Sequence, residues 1–321
     1  MPASIPTHPD PDVTPPTDPS PVPGPPRPGP VPDRPEPLPE PGGPDSPDSP
    51  DSPDSPEQQP QGDTRARGVL GAPSWVSLIV RDLDAAERFY GGLLGWTFAQ
   101  GPERLGPFAY VMSGGHRVAG ISAITDSSAA TGWTTFFGVR DAHESARRIA
   151  DRGGTVGVGP VSIDAGRVVI ARDPDGASFG LWQGHEELPQ TATPLTGVPA
   201  WIELRTPDAF KAALFYGEVL DWDPELSSRC EVVWEHERVV LRVDGQSIAA
   251  LGGHEPGAGA DALPFWRVCF AVTDIERAAV DAVALGGRVL APPRPTPYGL
   301  FVELQDPEGA RFSLIQPPQG E

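Results

Sequence analysis

Cysteine is nearly absent from this 321-residue chain: Cys230 and Cys269 are the only two. That excludes a disulfide framework and a cysteine metal cluster. Lysine is rarer still, with Lys211 alone among 24 basic residues, against 44 acidic ones and a net charge of −20. Nucleic acid and anionic membrane both repel such a chain, so neither is expected as a partner. No apolar run reaches the roughly 18 residues that a spanning helix needs. The first residues also lack the basic and apolar segments of a secretory leader, so a cytoplasmic location is the simplest expectation. A Walker loop and a G-x-G-x-x-G turn after a strand are missing too, which removes the usual signatures of nucleotide-binding enzymes.

Proline, by contrast, is abundant and unevenly placed. Of 43 prolines, 24 fall in the first 60 residues, and residues 1–68 hold twelve acids against four arginines. Asp45 to Pro56 is four tandem D-S-P triplets. Such a segment cannot bury enough apolar surface to offset the entropy of ordering it. Residues 1–70 are therefore expected to be a disordered Pro/Asp-rich tail, polyproline-like in places. A dispensable solubility tail and a docking arm for a protein partner both fit this composition.

The rest of the chain repeats itself. "PSWVSLIVRDLDAAERFYGGLLGW" (73–96) returns as "PAWIELRTPDAFKAALFYGEVLDW" (199–222), with Trp75 over Trp201, Phe89-Tyr90 over Phe215-Tyr216 and Trp96 over Trp222. A second set matches at a different offset: Trp133 over Trp266, Gly153-Gly154 over Gly286-Gly287, and "DPDG" (173–176) over "DPEG" (306–309). Asp82, Asp141, Asp208 and Asp274 each sit where a helix N-cap belongs, and Asp141 with Glu144 makes a capping-box-like pair. Ala86, Phe89, Tyr90 and Leu93 have the i, i+3, i+4, i+7 spacing of a helix with one buried face. β-rich runs follow each helix, and the DPDG and DPEG steps read as tight turns between strands. Each of four modules thus reads β-α-β-β-β.

Four such modules in tandem, with "FY" on the first helix and "DPDG" before the last strand, resemble the vicinal oxygen chelate (VOC) superfamily, the glyoxalase / bleomycin-resistance / extradiol dioxygenase group. The chain is most similar to its two-domain, actinobacterial, hydroxylase-labelled and glyoxalase-like branch. The resemblance implies an α+β fold in which the four βαβββ modules form two VOC domains, at 71–188 and 199–321 with a linker at 189–198. It also implies a cupped sheet whose concave side holds the ligand. Which modules pair to form each cup stays open at this point.

Metal-using members of this group hold a divalent ion with His, Gln or Glu on that concave face, at positions on the first and last strands of the modules. The first-strand position, seven residues before the capping Asp, holds Trp75, Thr134, Trp201 and Arg267 here. The last-strand position, seven after the Asp of the DPDG or DPEG turn, holds Gly180 and Ser313. An indole only donates and a guanidinium has no lone pair to give, so no metal and no cofactor is expected. Strand alternation then places Trp75, Ser77, Thr134, Phe136 and Trp182 in a first, mainly apolar cup. The same count places Trp201, Glu203, Arg205, Arg267 and Ser313 in a second, charged one. His116, in the "SGGHRVAG" turn, is a further candidate contact at a cavity rim. The other five histidines lack the local spacing of a ligand pair.

The function expected from these residues is metal-free binding of a small aromatic or metabolite-like molecule, in a monomer or homodimer. No catalytic residue is identified. The alternative is a glyoxalase-like lyase, isomerase or oxygenase with a relocated metal or metal-free acid/base chemistry.

Overall fold

In the computed structural model, residues 69–126, 131–163, 166–184, 196–222, 229–235, 238–252, 263–296 and 298–318 are described. The proline-rich tail, His8, His185, His236, His254 and most of the expected linker lie outside them. Four βαβββ modules follow one another. The first is β1 (Pro73–Val80), α1 (Leu83–Leu94), β2 (Thr97–Gln100), β3 (Phe108–Ser113) and β4 (His116–Ala123). The second is β5 (Gly132–Gly138), α2 (Ala142–Asp151), β6 (Thr155–Ile163), β7 (Gly166–Arg172) and β8 (Ser178–Gln183). The third is β9 (Pro199–Arg205), α3 (Ala209–Val219), β10 (Cys230–Glu235), β11 (Arg238–Val243) and β12 (Gln246–Leu251). The fourth is β13 (Phe265–Ala271), α4 (Ile275–Ala284), β14 (Arg288–Thr296), β15 (Gly299–Gln305) and β16 (Arg311–Gln316).

Modules pair in sequence order. The first two share one eight-stranded sheet, β2-β3-β4-β1-β5-β8-β7-β6, and the last two share another, β10-β11-β12-β9-β13-β16-β15-β14. In each, the first strands of two modules meet antiparallel at the centre, β1 on β5 and β9 on β13. The prolines of "RVLAPPRPT" sit in β14, an edge strand, where a missing N–H costs no ladder bond. All four expected N-caps are in place: Asp82, Asp141, Asp208 and Asp274 each accept from a backbone N–H of the first turn. Glu144 departs from the capping box, because its carboxylate bonds Arg147 and Arg148 instead.

The helical stripes face a core that runs unbroken through both halves. Each half completes the other. Trp133 Nε1 donates to the Tyr90 hydroxyl at 3.0 Å, and that hydroxyl donates to Asp306 Oδ2 at 3.0 Å, in the DPEG turn of the other half. Trp266, Tyr216 and Asp173 repeat this in mirror fashion at 2.9 and 3.0 Å. The second oxygen of each aspartate accepts two backbone N–H groups of its own turn, Asp175 and Ala177 or Glu308 and Ala310. Burial, followed by the neighbouring aspartate charge, pushes both tyrosine hydroxyls well above their ordinary range, so they remain donors. Trp96 and Trp222 likewise reach across, donating to the carbonyls of Gly197 and Gly71 at 2.8 and 2.7 Å, just ahead of the first strand of the opposite half. At Gly287 a β-carbon would come within 2.9 Å of the Phe89 ring, so glycine there lets the other half approach.

The buried Trp–Tyr–Asp relays yield a direct test. Tyr90→Phe or Tyr216→Phe strands an indole N–H and a carboxylate oxygen in the core, so each is expected to lower stability by about 1–3 kcal/mol. Urea unfolding with an unchanged slope and a lower midpoint would show this; wild-type midpoints for both variants would contradict the relay's role.

Candidate functional site

With the helices turned to the shared core, the opposite face of each sheet is left for a ligand. Alternation is as expected along β1, where Val76, Leu78 and Val80 are buried and Trp75, Ser77 and Ile79 are half-buried. Cross-strand register brings Trp75 beside Phe136, Phe136 beside Gly180, and Ser77 beside Thr134. The equivalent rows of the second sheet are Trp201, Cys269 and Ser313, and Glu203 with Arg267. The six positions where a metal ligand would stand are thus adjacent in space, three in each concavity.

The two concavities are filled differently. In the first, a β-carbon on Gly120 would lie 2.7 Å from the Phe108 ring, and one on Gly180 would lie 2.2 Å from Phe136. Both rings therefore lie against the glycines of the sheet floor, where a side chain would not fit. Trp75 meets Tyr110 edge-on at 6.5 Å, and Arg117 covers the Tyr110 ring at 4.2 Å. Ser77 donates to the Gly120 carbonyl, Thr134 is buried, and Trp182 Nε1 is buried with no hydrogen-bond partner among the described residues. His116 is exposed at the start of β4.

A cavity of about 480 Å³ opens in the second concavity, walled by Trp201, Arg238, Arg294, Tyr298 and Phe301 and floored by Glu203 and Arg267. Trp201 stacks on Tyr298 with ring centres 5.0 Å apart and planes 26° apart. Glu203 is a hub: one oxygen accepts from Arg205 at 3.1 Å and Arg238 at 2.9 Å, and the other accepts from Arg267. Arg267 also donates to Glu303 at 2.6 Å and lies 4.8 Å over the Phe301 ring. Burial works against the Arg267 charge, but Glu203 and Glu303 outweigh it and hold the guanidinium more basic than usual. Ser313 is fully buried beside this network. Of the residues expected in the second cup, Trp201, Glu203, Arg205 and Arg267 line the cavity.

Arg238, Arg294, Tyr298 and Phe301 were not identified from sequence. Arg238 was findable, because Val239, Leu241 and Val243 are buried along β11 and the alternate residues must face the cup. Arg294 lies among the prolines of β14, which mask a strand pattern.

The family models match both halves. Residues 72–181 match the Glyoxalase/Bleomycin resistance protein/Dioxygenase superfamily, and residues 201–315 match a Glyoxalase-like domain. The chain belongs to the glyoxalase/bleomycin resistance/dioxygenase (VOC) superfamily. Among curated relatives, "Putative glyoxylase CFP32" of Mycobacterium tuberculosis is 34% identical over 77% of this chain and 95% of its own length. The anthracycline biosynthesis protein DauV of a Streptomyces species is 30% identical over 77% of this chain and 93% of its own. Among solved structures, the Mn(II)-bound glyoxalase of Novosphingobium aromaticivorans shares the fold, with a TM-score of 0.50 at 15% identity, over 79% of this chain and 86% of that one.

A divalent ion, as VOC metalloenzymes hold one, does not fit the residues at these positions. Indole, guanidinium, hydroxyl and bare backbone stand in the six places, and the carboxylates of Glu203 and Glu303 are already taken by arginines. No three of His, Cys, Asp and Glu converge as a metal site among the described residues. Nor is a thiol poised for chemistry. Burial pushes Cys269 up to about 12, with Arg267 opposing, and Cys230 up to about 11.

Two outcomes test this description. Both cysteines should resist a thiol reagent at pH 8 in the folded protein and react once it is unfolded; rapid labelling of native Cys269 would contradict its burial. Glu203→Gln strips the hub from three arginines and is expected to cost about 3–5 kcal/mol. Arg238→Gln, at the exposed end, should cost under about 1 kcal/mol. Denaturant titration of the two variants measures the contrast.

Proposed function

We propose that this VOC protein binds a small molecule, without a metal ion, in the concavity of its second half. The observation that carries the reading is the state of the cavity floor. Where relatives would grip an ion, Arg267 sits between two carboxylates and supplies a positive charge of its own. The cavity is of ligand size, with aromatic walls and a few fixed polar groups, as small-molecule sites are. The relatives' names, a glyoxylase and an anthracycline biosynthesis protein, both concern small molecules but agree on no single reaction.

Trp201 in the wall provides the probe. A screen of metabolites and aromatic compounds by tryptophan fluorescence and thermal shift, in the presence of a chelator, should give saturable binders. Trp201→Ala should weaken them about tenfold or more, the effect of losing an aromatic contact in a desolvated pocket. Stoichiometric Zn, Ni, Fe or Mn in protein purified without a His tag, with binding abolished by the chelator, would overturn the metal-free reading in favour of a metalloenzyme.

A further inference from the structure

Phe210 and Leu214 lie one turn apart on the outer face of α3, 62% and 57% exposed. Trp234 on β10, 57% exposed, meets the Phe210 ring edge-on at 6.5 Å. The buried stripe of α3 is Ala212, Phe215, Tyr216 and Val219, so the core has no use for the outer pair. The first half of the chain supplies a control. At the matching positions of α1 stand Asp84 and Arg88, both exposed. Gln100 of β2 matches Trp234, because each lies across from the residue four before the end of the next strand, Ala109 in β3 and Val239 in β11. One scaffold thus carries charged and polar residues at all three places in one half and large apolar ones in the other. Single apolar residues on a surface need no explanation, but a contiguous group marks a contact.

The strand that carries Trp234 is also the least guarded edge. β2, β6, β10 and β14 end the two sheets. β2 is only four residues long. β6 contains Gly157, Gly159 and Pro160 and shifts register twice against β7. β14 contains three prolines and likewise shifts register twice. Short length, proline and bulges are the devices that keep a sheet edge from pairing with another chain. β10 has none of them: it runs six residues without proline or glycine, in unbroken register with β11. Its acids, Glu231 and Glu235, alternate to the opposite face from Trp234 and share Arg242, which lies across from Glu231 and bonds Glu235. Among the described residues no strand pairs with its outer side.

We propose that β10 pairs antiparallel with β10 of a second copy of this chain, joining the two second-half sheets into one. A two-fold axis normal to the sheet sets a strand antiparallel to its own copy at a shared edge, and it keeps the helix faces of both copies on the same side. One operation therefore serves both features. Outward main-chain groups of β10 gain partners, and Phe210, Leu214 and Trp234 of one copy meet those of the other. A peptide strand from another protein would fill the edge but leave α3 uncovered. The three side chains expose roughly 350 Å² per copy, so pairing covers roughly 700 Å² from them, and the strand edge adds to this toward the roughly 1,000 Å² that a specific contact needs. Each copy carries a net charge of −20, so the attraction is apolar and main-chain in origin and works against charge repulsion.

Analytical ultracentrifugation of the full chain over a concentration series tests this. Monomer should give way to dimer by tens of micromolar, and at lower concentration as salt screens the repulsion. The variant that combines Phe210→Asp, Leu214→Arg and Trp234→Gln gives the second half the residues of the first. It should raise the dissociation constant about a hundredfold or more, because each lost apolar anchor counts on both sides of a two-fold contact. Thermal unfolding at dilution confirms that the variant folds. In the unaltered chain, outward-facing amides of Cys230–Glu235 should exchange with deuterium about tenfold or more slowly in the dimer than in the dilute monomer. A monomer at every concentration overturns the proposal, as does a dimer whose dissociation constant the triple variant leaves unchanged. β10 amides that exchange equally fast in monomer and dimer overturn the strand pairing.

Discussion

Two hydroxyls, those of Tyr90 and Tyr216, hold the halves of this protein together. Each accepts from a tryptophan of its own half and donates to the aspartate that shapes a strand turn in the other. The aspartates are buried, and burial raises their pKa against the pull of the hydrogen bonds they accept. A buried carboxylate without its donors is costly, so neither turn is complete until both halves are docked. The close approach of Phe89 to Gly287 and the reach of Trp96 and Trp222 follow from that docking.

Spending the helical face on the joint decides where a ligand can go. The two concave faces are free of it and have diverged. At one matched cross-strand position the first half carries Ser77 and Thr134, and the second carries Glu203 and Arg267. In the first bowl a small hydroxyl pair stands there, and aromatic rings settle onto glycines nearby. An ion pair at the same place brings further charges with it, Arg205, Arg238 and Glu303. One member of that pair, Thr134 or Arg267, stands where a metal ligand would be sought, and the other, Ser77 or Glu203, lies two residues along the strand from Trp75 or Trp201.

Much of this was readable beforehand, for local reasons. Aspartate caps, the Phe-Tyr stripe and the DPDG turns are fixed by residues a few positions apart, and they gave four βαβββ modules correctly. Period-two alternation placed Glu203, Arg205 and Arg267 on one face of the second sheet. The partners of the repeated motifs were not readable. Tyr90 and Asp306 lie 216 residues apart, and periodicity says that a tyrosine is buried without saying against what. Arg238 is passed over when "EVVWEHERVVLRV" is read as one β run, whereas it is two strands, Cys230–Glu235 and Arg238–Val243, and alternation within the second alone points to it. How Phe108 and Phe136 pack onto Gly120 and Gly180 is not encoded by any pattern along the chain.

The pseudo-symmetry of the joint is broken beside the two strand turns. Glu308 accepts the backbone N–H groups of Arg81 and Asp82, at 2.8 and 2.9 Å. Pro207 occupies the place of Arg81 in the other half and has no N–H to offer, so Asp175 turns to Lys211, an exposed ammonium. One seam of the molecule is thus stitched to main chain beside its turn, and the other to side-chain ion pairs, Lys211 with Asp175, Arg148 with Asp221 and Arg152 with Glu218. Ions in solution screen an exposed pair far more than a main-chain bond. Rising ionic strength accordingly loosens the protein from the α3 side, giving a duplicated structure one stiff margin and one compliant margin.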